Sequence, residues 1–409
     1  MKSARSWGRL GMKFDVVQLE STGIDVIDGD RGKNYPHQNE LLSTGFCLFL
    51  SAKNVTKSGF SFSETQFISQ RKDALLNNGR LCRGDIVITT RGTVGNVALY
   101  SPQVPYENIR INSGMLIIRC ANNISNQYLY QVLRSEWFQK QIMTVQSGSA
   151  QPQLPKSHFL KMKIPLPPLP IQEKIASILQ LIDDKITTNN SINDNLEQQA
   201  QAIFRQELLQ NGELPPNWTT GSLLDIADYL NGLAMQKFRP VDGERGLPVL
   251  KIKELRQGFC DYSSELCSPN IKPEFIVHDG DVIFSWSGSL LVDLWCGGTC
   301  GLNQHLFKVT SVKYPKWFYY TWTAHHLARF VAIAADKATT MGHIKREDLA
   351  KAEVIIPDVA SMERIGGVLQ PIYDLVINQR IENRKLSMLR DSLLPKLMSG
   401  ELDVSAIEL

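Results

Sequence analysis

At 409 residues and 46.0 kDa the chain is too long for one ordinary hydrophobic core, so two or more globular units are expected. Hydrophobic residues at 43% and charged residues at 21% exclude wholesale disorder, and no stretch reaches the roughly 18 uncharged apolar residues that a membrane span requires. The formal net charge is only +3, but it is unevenly placed: residues 1–152 hold 17 basic against 11 acidic side chains, 153–212 hold 6 against 6, 213–343 hold 12 against 13, and 344–409 hold 9 against 11. No apolar core follows the start Met1-Lys2-Ser3-Ala4-Arg5, and seven cysteines are thinly spread. A cytoplasmic location with reduced thiols is the expectation.

In chain order, the first segment mixes short apolar runs with turn residues. Leu81 to Tyr100 predicts a strand, a Thr-Arg-Gly turn and a second strand, Met115 to Arg119 a further strand, and Asn126 to Val145 an amphipathic helix. A proline-rich run, Pro165-Leu166-Pro167-Pro168-Leu169-Pro170, reads as a stiff hinge into a long helix. Residues 171–209 contain no Pro or Gly, and at 1.5 Å per residue they would span roughly 58 Å. Residues 213–343 return to mixed apolar runs and turns, with an amphipathic helix predicted from Pro315 to Ala335. The last segment predicts a second long helix, weakened at Gly366 and Gly367, kinked or settled fully only after Pro371, and limited by Pro395.

The second half repeats the first. Gly84-Asp85-Ile86-Val87-Ile88 lies over Gly280-Asp281-Val282-Ile283-Phe284 at an offset of 196, Leu50 to Val55 over Leu250 to Leu255 at 200, and Lys161 to Pro167 over Lys351 to Pro357 at 190. Gly212-Glu213-Leu214 recurs as Gly400-Glu401-Leu402. Such a period is far above that of solenoid repeats and indicates a duplicated domain with its connector.

Both long helices carry heptads. With Ile175, Ile182, Asn189, Leu196 and Ile203 at a, the d positions are Leu179, Ile186, Asn193, Ala200 and Glu207. The second copy has Ile365, Ile372, Gln379, Leu386 and Leu393 at a, and Leu369, Val376, Asn383, Arg390 and Leu397 at d. Each helix is polar in mid-seam, so Asn189 and Asn193 against Gln379 and Asn383 are expected to set the register of a coiled coil, because sliding would set amides against Ile or Leu.

Catalytic signatures are absent from the sequence. Gly29-Asp30-Arg31-Gly32-Lys33 lacks the spacing of a phosphate loop, no Gly-x-Gly-x-x-Gly follows a strand, and Pro215-Pro216-Asn217-Trp218 has the residues of an amino-methyltransferase motif in the wrong order. His325-His326 reads as a helix-surface pair. Cys260, Cys267, Cys296 and Cys300 are too loosely spaced for a zinc site and read as small buried thiols, and Asp25, Asp28 and Asp30 lack the closing acidic ligand of a calcium loop. No metal site is expected. The turn is instead expected to face Arg31 and Lys33 toward a partner.

The repeat, the paired helices and three motifs together resemble the specificity subunit of Type I restriction–modification enzymes. The motifs are Gly84-Asp85-Ile86-Val87-Ile88-Thr89-Thr90-Arg91-Gly92-Thr93-Val94-Gly95, the run from Gln151-Pro152-Gln153-Leu154 through Ile164-Pro165-Leu166-Pro167-Pro168-Leu169 into Gln172-Glu173-Lys174-Ile175, and Leu393-Leu394-Pro395-Lys396-Leu397-Met398-Ser399-Gly400-Glu401-Leu402. The resemblance covers nearly the whole chain. It implies an α+β architecture: two homologous α/β target recognition domains (1–152 and 213–343), each followed by a conserved linker and long helix (153–212 and 344–409), with the helices forming an antiparallel coiled coil about a pseudo-twofold axis. It also implies a noncatalytic subunit that reads an asymmetric bipartite sequence in double-stranded DNA and holds two methyltransferase subunits, and through them motor and nuclease subunits. S-adenosylmethionine, ATP and magnesium would reside on those partners, with no cofactor in this chain. In the second copy Ser287 replaces Arg91 and Leu291 replaces Gly95, which implies two different half-sites.

Polar residues beside strands are the candidates for base contact, Arg or Lys toward guanine and Asn or Gln toward adenine. In the first domain they are Lys53, Asn54, Lys57, Thr90, Arg91 and Gln151; in the second, Lys251, Lys253, Arg256, Trp286, Gln304 and His305. A different expectation is a coiled-coil scaffold that joins two partner proteins without touching DNA.

Overall fold

The computed structural model describes residues 13–146, 153–209, 214–261, 263–336 and 342–407. The chain divides into two compact units, Met1–Asp184 with Ser387–Leu409, and Lys185–Leu386. Each joins a mixed α/β part to stretches of both long helices.

In the first unit the strands are β1 (Val16–Gln18), β2 (Asp25–Asp28), β3 (Cys47–Leu50), β4 (Val55–Thr56), β5 (Gly59–Phe60), β6 (Phe67–Ile68), β7 (Ile86–Thr89), β8 (Val97–Leu99), β9 (Ile109–Ile111), β10 (Met115–Arg119) and β11 (Lys163–Pro165). The helices are α1 (Gln70–Leu75), α2 (Asn126–Arg134), α3 (Glu136–Gln146), α4 (Lys156–Leu160) and the start of α5 (Leu169–Leu208). An antiparallel sheet of order β2-β10-β7-β8 stands beside a smaller one, β6-β3-β9, in which β3 and β9 run parallel. The larger sheet is apolar on both faces. Ile86, Ile88, Leu116 and Ile118 pack with α2 and α3 residues such as Leu129, Val132 and Phe138, while Val87, Ala98, Met115 and Ile117 pack with Leu48 and Leu50 of β3. That double burial explains why Ile-Val-Ile and Met-Leu-Ile-Ile are continuous apolar runs rather than alternating ones.

The second unit repeats this plan. Its strands are β12 (Thr219–Ser222), β13 (Asp228–Asn231), β14 (Leu247–Leu250), β15 (Leu266–Cys267), β16 (Ile276–Val277), β17 (Val282–Ser285), β18 (Leu291–Leu294), β19 (Cys300–Leu302), β20 (Leu306–Thr310) and β21 (Glu353–Ile356). Its helices are α6 (Leu223–Ile226), α7 (Ile252–Gln257), α8 (Lys316–His325), α9 (Leu327–Asp336), α10 (Arg346–Ala350) and the larger part of α11 (Val359–Ser399). The order β13-β20-β17-β18 answers β2-β10-β7-β8, β15-β14-β19 answers β6-β3-β9, and β12-β21 answers β1-β11.

Each predicted amphipathic helix is two helices. Ser135 ends α2 and accepts the Phe138 N–H at 3.1 Å, acting as a cap for α3. In the second copy the break falls at His326, which is buried rather than on the surface; its Nε2 meets the Glu353 carbonyl at 2.8 Å, and burial lowers its pKa.

Within each unit the long helices pack antiparallel. In the first, Ile175, Ala176 and Leu179 share a core with Leu394, Leu397 and Met398. In the second, Glu197 pairs with Arg380 and Glu207 with Arg364, so partners descend on one helix as they rise on the other. The expected kink and the expected limit are corrected: α11 begins at Val359 and runs unbroken through Gly366, Gly367, Pro371 and Pro395 to Ser399. Tertiary packing overrides local propensity here. Ile365, Leu369, Tyr373 and Val376 are buried, and Gly366 leaves room for Trp317, whose Nε1 would lie 2.8 Å from an added Cβ.

Candidate nucleic-acid interface

In the second unit, the ends of β13 and β17, the β19–β20 turn and the segment before α10 converge. Trp286, just past β17, stacks on Phe307 at 5.7 Å between ring centroids and lies edge-on to His343 at 6.3 Å. His305 is also near, at 6.2 Å. The indole Nε1 donates to Asn231 Oδ1 at 3.0 Å. His305 Nδ1 lies 3.1 Å from Ser287 Oγ, and Gln304 Nε2 lies 3.4 Å from His305 Nε2. Backbone pairing holds the group together, since Ile344 N donates to the Trp286 carbonyl at 3.1 Å and Gly288 N to that of Gly342 at 3.0 Å. The cluster is partly exposed and aromatic, a surface suited to stacking and to hydrogen bonds with base edges.

The first unit builds the same scaffold with different side chains. Thr90 N donates to the Gly114 carbonyl at 2.7 Å and Leu154 N to that of Thr90 at 3.0 Å, and Arg91 is bridged to Gln153 as Ser287 is to His343. Arg91 is exposed at the tip of the β7–β8 hairpin and, among the described residues, has no ion-pair partner. Gly92, next to it, has φ 73°, a conformation that favours glycine, and lies against Ala52. Arg31 joins the edge of this site, 3.0 Å from Asp28 and 3.4 Å from the Ser113 carbonyl. Asp30 does not present a ligand: it accepts the backbone N–H groups of Gly32 and Asn77 at 2.8 Å each, bonds that hold its carboxyl below the usual range.

The sequence candidates therefore separate. Trp286, Gln304 and His305 come together, and Arg91 stands at the matching place in the first unit. Asn54 is a correction: it is 2% exposed, and its amide is spent bonding Ser51, Ser61 and Glu64 within its loop. Thr90 is likewise buried and contributes backbone bonds rather than a projecting side chain. Lys53 is exposed and paired with Glu64 at 2.7 Å, and Lys57 is exposed in the β4–β5 turn. Lys251 pairs with Glu265, and Lys253 donates to Ser263 at 2.8 Å. Arg256 is exposed at the end of α7. Gln151 lies outside the described residues. Asn231, Phe307 and His343 were missed, although the offset of 190 that lays Lys161 over Lys351 also lays Gln153 over His343. On the helix pair, Asn189 donates through its amide N–H groups to Asn383 at 2.8 Å and to Glu382 at 2.7 Å, while the side-chain oxygens of Asn189, Asn193 and Gln379 are buried without a hydrogen bond to the described residues.

Residues 22–198 match the family described as the Type I restriction modification DNA specificity domain. The chain is 26% identical over 358 residues to the Type I restriction enzyme MjaIX specificity subunit of Methanocaldococcus jannaschii, a match spanning 80% of this chain and 79% of that one. It is 24% identical to the EcoKI specificity subunit of Escherichia coli, over 95% of this chain and 89% of that one. Over most of its length the chain is similar to Type I restriction–modification specificity subunits. The fold agrees: the crystal structure of the Type I S subunit from M. genitalium superposes with a TM-score of 0.55 at 12% identity, covering 95% of this chain and 96% of that one. Among the described residues, no helix is long and apolar enough to cross a membrane.

Proposed function

We propose that this chain is a specificity subunit that reads an asymmetric, bipartite sequence in double-stranded DNA, one half-site per unit, and that its helix pair holds two methyltransferase subunits, which in turn carry the motor and nuclease subunits. The chain itself is noncatalytic. S-adenosylmethionine, ATP and magnesium belong to the partners. The observation that supports this most is one scaffold built twice with unlike chemistry at matching positions: Arg91 beside Gln153 in the first unit, Ser287 beside His343, with Trp286 and His305, in the second. Two readers of one fold and two chemistries suit two different half-sites, because shared backbone positions the contacts and side chains select the bases.

The test is gel retardation of random duplex pools by the chain copurified with a methyltransferase subunit, followed by sequencing of the retained duplexes. Retention of duplexes sharing two separated sequence blocks is expected. Equal retention of all duplexes, or none, would return the chain to the role of a scaffold without sequence readout.

A further inference from the structure

The open end of the β17–β18 hairpin in the second unit is tied to α11 by two arginines one turn apart. Arg380 Nη1 donates to Asp293 Oδ1 at 2.7 Å and to the Leu294 carbonyl at 3.2 Å, and its Nη2 donates to Glu197 of α5 at 2.7 Å. Arg384 grips both carboxylate oxygens of Asp279 at 2.7 Å each and also donates to the Cys296 carbonyl at 2.6 Å. The turn it enters is shaped for it. Asp279 accepts the Gly298 N–H at 2.8 Å, Trp295 Nε1 donates to the Gly298 carbonyl at 2.6 Å, and Gly298, at φ 91°, has no side chain to obstruct a guanidinium whose Nη1 lies 3.2 Å from where a Cβ would stand. Bidentate, partly desolvated arginine pairs fix angle as well as distance.

The other end of the same hairpin carries Trp286, Ser287 and Gly288. Between the two ends the ladder is unbroken, Val282 opposite Leu294 through Ser285 opposite Leu291, so a tilt at the base is carried to the tip. Both hairpins also hold an ion pair inside their own sheet, Asp85 with Arg119 of β10 at 2.9 and 2.7 Å and Asp281 with Lys308 of β20 at 2.8 Å, so the two arginines of α11 act in addition to that pair in the second unit.

We propose that Arg380 and Arg384 are positioning residues that fix the angle of the second recognition hairpin on the helix pair, and so make recognition strict for the length of the spacer between half-sites. This rests on the bipartite reading above. Full-length Arg380→Ala, Arg384→Ala and Arg384→Lys chains, each coexpressed with a methyltransferase subunit, are to be tested for methylation of the mapped target and of copies whose spacer is one base pair longer or shorter.

Both alanine variants are expected to lose the preference for the native spacer by roughly tenfold or more, as displacement of a rigidly held contact predicts, with Arg384→Lys between them and wild type. Preference for the correct bases within each half-site should stay within about twofold of wild type, since no base-reading group has been removed. Equal loss on every substrate would show a merely structural role, and an unchanged spacer preference in the variants would show that the hairpin angle is set elsewhere; either overturns the inference. A wild-type complex that marks no bipartite sequence would instead overturn the functional reading beneath it.

Discussion

Asn189 of α5 donates through Nδ2 to Oδ1 of Asn383 on α11 at 2.8 Å, joining positions 194 residues apart. Asn383 returns a bond of the same length to Asn190. Asn189 is fully buried, and Leu179, Val376 and Ala200 are buried d residues of the same two helices. An amide pair in such a seam binds only when the layers are aligned, whereas apolar layers tolerate sliding.

Replacing Asn189 by Ala leaves the Asn383 side-chain oxygen without this donor and should cost about 1–3 kcal/mol. The double change to Ala at Asn189 and Asn383 should cost less than the sum of the two single changes to Ala, since the bond between the two amides is lost only once. Denaturant midpoints for the two single variants and the double variant form the cycle that checks this. Additive costs would show that the two amides do not act as a pair.

Asp183 is the corresponding anchor in the first unit. It accepts from Gln131 at 2.8 Å and Arg134 at 3.1 Å, both on α2, and from Arg390 of α11 at 2.7 Å. Burial pushes its carboxyl up, but the two guanidinium groups outweigh burial and hold it below the usual aspartate range. Asp183→Ala should cost about 3–5 kcal/mol, the penalty for leaving buried arginines without their partner. Because the folded-state value is depressed, the carboxylate's contribution is complete above the unfolded-state value of about 3.9 and is lost as pH falls through it toward the lower folded-state value. Urea midpoints of wild type and Asp183→Asn should therefore differ most at neutral pH and draw together as pH falls below the unfolded-state value of about 3.9. A constant gap across that range would place the anchor's energy elsewhere.

At the interface, Arg91→Ala should relax discrimination at one guanine of the first half-site by about 1–3 kcal/mol and leave the second half-site unchanged. Competition binding with single-base-substituted duplexes measures it. Weakening of equal size at every position would reassign Arg91 to a phosphate.

What was legible in the chain depended on how local the cause was. The β7–β8 and β17–β18 hairpins announce themselves because strand, turn and glycine are contiguous, as in Gly84 to Gly95, and the heptads expose the helix seam because their cause is a short period. Pro371 misleads for the opposite reason: its local cost is known, but the packing of Ile365, Leu369 and Tyr373 that overrides it comes from residues distant in sequence. Asn54 and Thr90 read as surface polar groups, yet loop bonds and sheet contacts enclose them. Trp286 and His305 stood out by residue type. That they meet Asn231 and His343 follows from strand order, which no local pattern encodes.

The most direct test of the account is exchange of residues 1–152 for the same segment of a related specificity subunit, with modified sites mapped by sequencing in a strain that supplies the methyltransferase. One half of the recognised sequence is expected to change to that of the donor while the other half stays as in the parent. A change in both halves, or in neither, would contradict two independent readers on one duplicated fold.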